Sequence, residues 1–231
     1  FRRVEFAGGE PLMDPNHYKI LDMLKPYANN IEIKYATNGT KLGISKGRTV
    51  FEYWPHFKSV AVNISIDGIH DVYDYIRGNG DFELVEKNIK KIKEIPSVSR
   101  VVGAFTVQSN NILQIDKVIE YFLEKMGIIF YSHRVNYPRA LSAQAIPNEL
   151  KQQVIEKLEA MKHTVESYEI VKNSSVIREV TLQQIQDNIN FLQAADLSEY
   201  WQDCIEFNRK LDATRNQGPL EEIIPEFKPY V

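Results

Sequence analysis

The sequence predicts an α/β protein: a parallel sheet wound with helices into an open, partial βα barrel, followed by a helical C-terminal extension. Three observations predict it. Short strand-like runs alternate with helical patterns at a spacing of roughly 30 to 40 residues, as βα units require. Those runs carry one apolar and one polar face, whereas a closed, packed barrel is apolar on both. Beyond Pro147 the strand pattern stops and helical periodicity continues to Arg215.

Strands are expected at residues 3–7, 31–37, 60–66, 100–107 and 128–134. On the third, Val60, Val62, Ile64 and Ile66 share one face, and Ala61, Asn63, Ser65 and Asp67 the other. The second sets Ile31, Ile33 and Tyr35 against Glu32, Lys34, Ala36 and Asn38; the first sets Val4 and Phe6 against Glu5 and Ala7. With helices on the apolar face, the polar face lines a wet interior, because burying such groups dry and unpaired costs roughly 1–3 kcal/mol each. Asn63, Ser65 and Asp67 are therefore expected to face inward. Glu5 and Lys34 are expected to meet across neighbouring strands, since a charge on that face needs a partner.

Between the strands, Asp14-Pro15 supplies an N-cap and a first-turn proline, with Tyr18, Leu21 and Leu24 following at helical spacing. Phe82, Val85, Ile89 and Ile92 form a second stripe. Ile112, Ile115, Ile119, Phe122 and Met126 form a third, closed by Gly127. Residues 147–215 read as helices and 218–231 as an irregular tail. The corresponding domain division is 1–146 for the barrel and 147–231 for the extension.

The chain of 231 residues is 43% hydrophobic and 26% charged, enough to bury a sizeable core. A net charge of −3 supplies no basic stripe for nucleic acid. No apolar run approaches the ~18 residues of a membrane span, so the expectation is a soluble, cytoplasmic protein. The single cysteine, Cys204, excludes an internal disulfide and a cysteine cluster for zinc or iron–sulfur within these residues. With Trp201 and Phe207 at i−3 and i+3 it reads as a helix-packing residue. Phe1 stands almost directly before a strand without an initiator Met, which reads as a fragment.

Candidate site groups fall at the carboxyl ends of the strands, where βα folds carry their chemistry. Gly8 and Gly9 let main-chain groups approach a ligand, and Glu10, before Pro11, offers a carboxylate to a cation. Asn38 lies in the Thr37-Asn38-Gly39 turn, and Ser65 and Asp67 precede Gly68. The five histidines show no metal-ligand spacing. His133 alone, with Arg134, Asn136 and Tyr137, stands where a substrate-facing group would. Lys87, Lys90, Lys91 and Lys93 read as the solvated face of an amphipathic helix.

Gly8-Gly9-Glu10-Pro11, Tyr35-Ala36-Thr37-Asn38-Gly39-Thr40, Ser65-Ile66-Asp67-Gly68 and Tyr75-Ile76-Arg77-Gly78 with Val85-Glu86-Lys87-Asn88-Ile89 resemble the successive strand-end motifs of radical SAM enzymes. Together with residues 207–215 and Pro225-Glu226-Phe227, they are most similar to the twitch-domain-containing members. The resemblance implies a 4Fe–4S cluster and S-adenosylmethionine (SAM), cleaved reductively to methionine and a 5′-deoxyadenosyl radical that abstracts hydrogen from a substrate not readable here. It implies a reductant such as a flavodoxin or ferredoxin. By motif position it assigns Gly8, Gly9 and Glu10, with Pro11, to the SAM amino group, Ser65 to the ribose or carboxylate side and Arg77 to the carboxylate; Asn38 and Asp67 are weaker members. Replacing Arg77 is then expected to weaken SAM binding and leave the fold intact.

The family's CxxxCxxC cluster loop and first barrel strand have no counterpart among these residues, so the resemblance implies an N-terminally truncated chain, inactive alone. The alternative is a cluster-free scaffold or binding module. Truncation would leave the first strand as an unpaired edge, so residues 1–231 expressed alone are expected to be largely insoluble, free of iron and unable to cleave SAM. A soluble monomer with a cooperative melt would favour the scaffold.

Overall fold

Alternating burial builds the sheet. A computed structural model describes residues 2–45, 47–78 and 80–231. Its strands are β1 (Arg3–Phe6), β2 (Glu32–Thr37), β3 (Gly43–Ser45), β4 (Arg48–Thr49), β5 (Ser59–Ser65), β6 (Val98–Val107) and β7 (Ile129–Arg134). Five of them form one sheet in the order β1-β2-β5-β6-β7, with parallel pairing from β1 to β6. The expected strands are all present within two residues of their ends. β6 starts two residues early, because the Val60 amide donates to Ser97 O at 2.8 Å and the register shifts beside Val60. The β3–β4 hairpin was not expected, being too short to show an apolar alternation; at Gly43 a Cβ would lie 2.6 Å from Arg48 O, so the crossing needs glycine.

The chain divides into two units. The first comprises the described residues within Phe1–Ile66 and Glu83–Ala104. Here Ile33, Tyr35, Val60, Val62 and Ile64 are fully or almost fully buried, while Lys34, Ala36, Ala61, Asn63 and Ser65 are half-buried. Glu5 pairs in register with Lys34, and their charged groups meet at 3.0 Å as expected. Helix Pro15–Leu24 starts as the sequence indicates, with the Asp14 carboxylate accepting the Asn16 amide and proline in the first turn. It buries His17, Tyr18 and Leu21, while Leu24 is only half-buried. His17 Nε2 lies 2.8 Å from the Tyr35 hydroxyl, and its ring meets Phe6 edge-on at 4.7 Å. Val85, Ile89 and Ile92 bury the inner face of helix Phe82–Lys93, each worth roughly 1.5–3 kcal/mol. Its lysines stay exposed.

The second unit comprises the described residues within Asp67–Phe82 and Phe105–Val231. The third apolar stripe is buried throughout, though the backbone passes from a 3-10 turn through α-helix Ile115–Glu120 to a π-turn at Tyr121–Met126 before Gly127 closes it at φ 57°. Helices Asn148–Thr164, Ser175–Ala194 and Trp201–Arg215 follow. Gln184 on the second of these accepts both the amide and the hydroxyl of Ser132 on β7, each at 2.8 Å. Cys204 is fully buried, but in a polar setting: its Sγ lies 3.2 Å from Ser109 Oγ, beside a reciprocal Asn110–Asn208 amide pair. Phe207 is 43% exposed, so it is not the packing neighbour expected. The tail is not irregular either. It forms helix Leu220–Ile223 and a 3-10 stretch Pro225–Tyr230, held by Trp201, whose ring packs tilted against Phe227 at 5.0 Å and which donates to Tyr230 O at 2.9 Å. Among the described residues, no helix is long and apolar enough to cross a membrane.

His17 makes the fold acid-sensitive. Burial lowers its imidazole to about 4, against a smaller upward pull from Asp14. In the unfolded chain the ring titrates at about 6.5, so below that pH the unfolded state binds a proton that the folded state refuses. This contribution is complete above about pH 6.5 and is lost as the pH falls toward about 4, at no more than about 1.4 kcal/mol per pH unit. Urea melts at about pH 7 and about pH 5 should show a smaller drop for His17→Gln than for the wild type. Equal drops would show that other groups dominate.

Candidate functional site

The first group of site residues lies in the first unit, where β1 and β2 end. β1 leads into Gly8 and Gly9 at φ 84° and 51°, left-handed conformations that L side chains adopt only with strain. A Cβ built on either would meet nothing within 4 Å. The glycines are therefore set by backbone conformation, and the space over them is open. Glu10 follows in extended conformation and caps the short turn Pro11–Met13, in which Pro11 is buried at the first position.

Three donors converge on the Glu10 carboxylate. Oε1 accepts the Leu12 amide at 3.1 Å and the Thr37 hydroxyl at 2.7 Å, and Oε2 accepts the Asn38 amide at 2.7 Å. Glu10 thus clamps the end of β1 to the end of β2. A carboxylate offers about four acceptor positions, so the clamp leaves capacity for one further donor. The neighbouring turn is held from below: Asn88 Nδ2 donates to Gly39 O at 2.8 Å and to Thr40 O at 3.3 Å. Gly39 itself sits at φ 71°, where a Cβ would lie 2.9 Å from Ile64 Cγ2. Ser65 closes β5 half-buried.

The second group lies in the second unit. Asp67, expected on the half-wet face, is 8% exposed, because its carboxylate is consumed by partners. Oδ2 pairs with Arg77 Nη2 at 2.7 Å, and Oδ1 accepts the Thr106 amide at 2.9 Å. Its backbone carbonyl accepts Asn111 Nδ2 at 2.9 Å, and the same Nδ2 reaches Thr106 O at 2.9 Å. Arg77 caps the C-terminus of helix His70–Ile76. That terminus is further tied by Arg215, which donates to Tyr75 O and Ile76 O at 3.1 and 3.3 Å. Removing Arg77 would strand a buried carboxylate, a strongly destabilising change, so the variant expected to leave the fold intact must keep the positive charge.

Thr37, Asn88, Thr106, Asn111 and Arg215 were not singled out from the sequence as partners of the site. Asn88 left a signal there: it is a polar residue inside the buried Val85–Ile89 stripe. His133 is exposed on β7, edge-on to Tyr131 at 5.0 Å. Among the described residues, no group of three or more His, Cys, Asp or Glu is placed to hold a metal ion. Burial pushes the Cys204 thiol up to about 11, which keeps it protonated at neutral pH. These residues do not fit a 4Fe–4S cluster.

An open pair of glycines beside a carboxylate suits an ammonium group, and a fixed guanidinium suits a carboxylate. Glu10 follows the end of β1, and Asp67 lies just past the end of β5 in this βα fold. Residues 1–122 match the family model of the radical SAM superfamily, and the chain belongs to that superfamily. Membership points to SAM-dependent radical chemistry in general. No curated protein matches the chain.

The clamp can be tested without any ligand. Glu10→Gln turns one acceptor into a donor facing the Asn38 amide or the Leu12 and Thr37 donors. Urea unfolding should show a loss of about 1.5–3 kcal/mol, the range for hydrogen bonds to a charged group, with faster amide exchange at Asn38. Unchanged stability would mean that the carboxylate does not hold the two strands together.

Proposed function

We propose that the chain is the SAM-binding, C-terminal part of a radical SAM enzyme. The observation that carries this reading is the junction of β1 and β2, where Gly8, Gly9 and Glu10 present an open backbone and a carboxylate with spare acceptor capacity. Gly8, Gly9 and Glu10, with Pro11 shaping the turn, would take the amino group of SAM. Ser65 would take the ribose or carboxylate side, and Arg77 the carboxylate; Asn38 and Asp67 flank these groups. The strand order, which follows the chain without reversal, supports an open βα barrel over a doubly wound sheet. We assign residues 1–146 to that barrel and 147–231 to a helical extension of the twitch-domain type.

A cluster held by cysteines outside these residues would, with SAM, supply the radical chemistry of hydrogen abstraction. This chain's own part is to bind and orient SAM. A flavodoxin or ferredoxin is the proposed reductant, and the cytoplasm the proposed compartment. A second reading, a cluster-free binding module, is favoured by the three internal hydrogen bonds on Glu10, which give that residue a structural task whether or not SAM binds.

Isothermal titration with SAM separates the two readings. Arg77→Lys keeps the charge beside Asp67 and loses the planar fork, and it should weaken SAM binding by about 1.5–3 kcal/mol with an unchanged melting curve. An unaltered dissociation constant would remove Arg77 from the site, and no SAM binding by the wild type would favour the cluster-free module.

A further inference from the structure

We propose that Asp67 is a positioning residue, which holds the Arg77 guanidinium in the orientation that receives a ligand's carboxylate. The inference rests on the reading of Arg77 given above and adds the device that aims it. The pair is graded in exposure: the Asp67 side chain is 11% exposed and that of Arg77 25%, so the acid is the buried member and the base the wetter one. A buried ion pair is weak grounds for stability, since apolar residues of similar volume serve as well.

Asp67 is fixed at three atoms. Arg77 Nη2 holds Oδ2 at 2.7 Å, the Thr106 amide holds Oδ1 at 2.9 Å, and Asn111 Nδ2 holds the backbone carbonyl at 2.9 Å. Gly68 allows the chain to turn there, since a Cβ would lie 2.8 Å from Tyr73 N. The Asn111 amide is locked in turn, because its Oδ1 accepts the Gln108 amide at 2.9 Å. A carboxylate pinned this way fixes where the Nη2 end of the paired guanidinium sits. An arginine fork carries five donors in one plane and can serve two carboxylates at once, so pairing with Asp67 orients the group without exhausting it.

The test compares two ligands on the full chain: S-adenosylhomocysteine, which has a carboxylate, and 5′-methylthioadenosine, which has none. Asp67→Asn removes the charge; Asp67→Glu keeps the charge and displaces it by one methylene. Both variants should lower the preference for S-adenosylhomocysteine about tenfold, the scale of one hydrogen bond to a charged group, and leave 5′-methylthioadenosine binding unchanged. If one variant fails to fold, the other decides. A preference retained in Asp67→Glu, raised in Asp67→Asn, or accompanied by equal loss of both ligands would overturn the proposal. If Arg77→Lys abolishes the preference and the Asp67 variants do not, only the positioning role fails. If the wild type shows no preference between the two ligands, the carboxylate reading of Arg77 fails and the positioning role falls with it.

Discussion

In the first unit, β2 and β5 of the parallel sheet each bury one face and leave the other half-wet. Parallel strands usually run apolar on both sides, because helices cover both faces. Here Val60, Val62 and Ile64 are fully buried while Ala61, Asn63 and Ser65 alternate with them half-buried, and the neighbouring strand repeats the pattern. Burial of one face supplies the apolar driving force, and on the partly hydrated face Lys34 and Glu5 meet at 3.0 Å. Polar groups near the ends of these strands then stand at the margin between core and water.

Carboxylates organise both groups of site residues, and each does so by accepting backbone amides. Glu10 receives the amides of Leu12 and Asn38 and the Thr37 hydroxyl; Asp67 receives the Thr106 amide and the Arg77 guanidinium. Such bonds are stronger than neutral ones, and they hold irregular backbone that no ladder supports. A residue that shapes a loop and also meets a ligand is pre-organised for binding, because its rotamer is set before the ligand arrives. Substitution at either position perturbs the backbone that its carboxylate holds.

The second unit relies on buried polar fastenings alongside apolar packing. Gln184 satisfies backbone and side-chain groups of Ser132, and Asn110 and Asn208 bond each other at 2.8 and 2.9 Å. An unmade hydrogen bond of this kind costs roughly 1–3 kcal/mol in the interior, so these pairs select one helix register over its neighbours. The buried Cys204 belongs to this set, hydrogen-bonded and protonated.

The sequence alone determined the periodic part of the protein. Short strand-like runs located all the strands of the main sheet, three of them by alternation; helical spacing located the buried stripes at Val85, Ile89 and Ile92 and at Ile112 to Met126, and Asp14-Pro15 located a helix start, because burial of a regular element imposes a period on the chain. The glycines of the β1 turn and the carboxylate after them were legible for a similar reason, since a left-handed backbone leaves few residue choices. Only the tertiary structure decided which partners the site carboxylates take. Thr37 and Glu10 are 27 positions apart, and Asp67 and Thr106 39 apart. Contacts at such separations leave no period in the sequence, so the clamp at Glu10, the fixing of Asp67 by Thr106 and Asn111, and the anchoring of the tail by Trp201 appear only when the chain is folded.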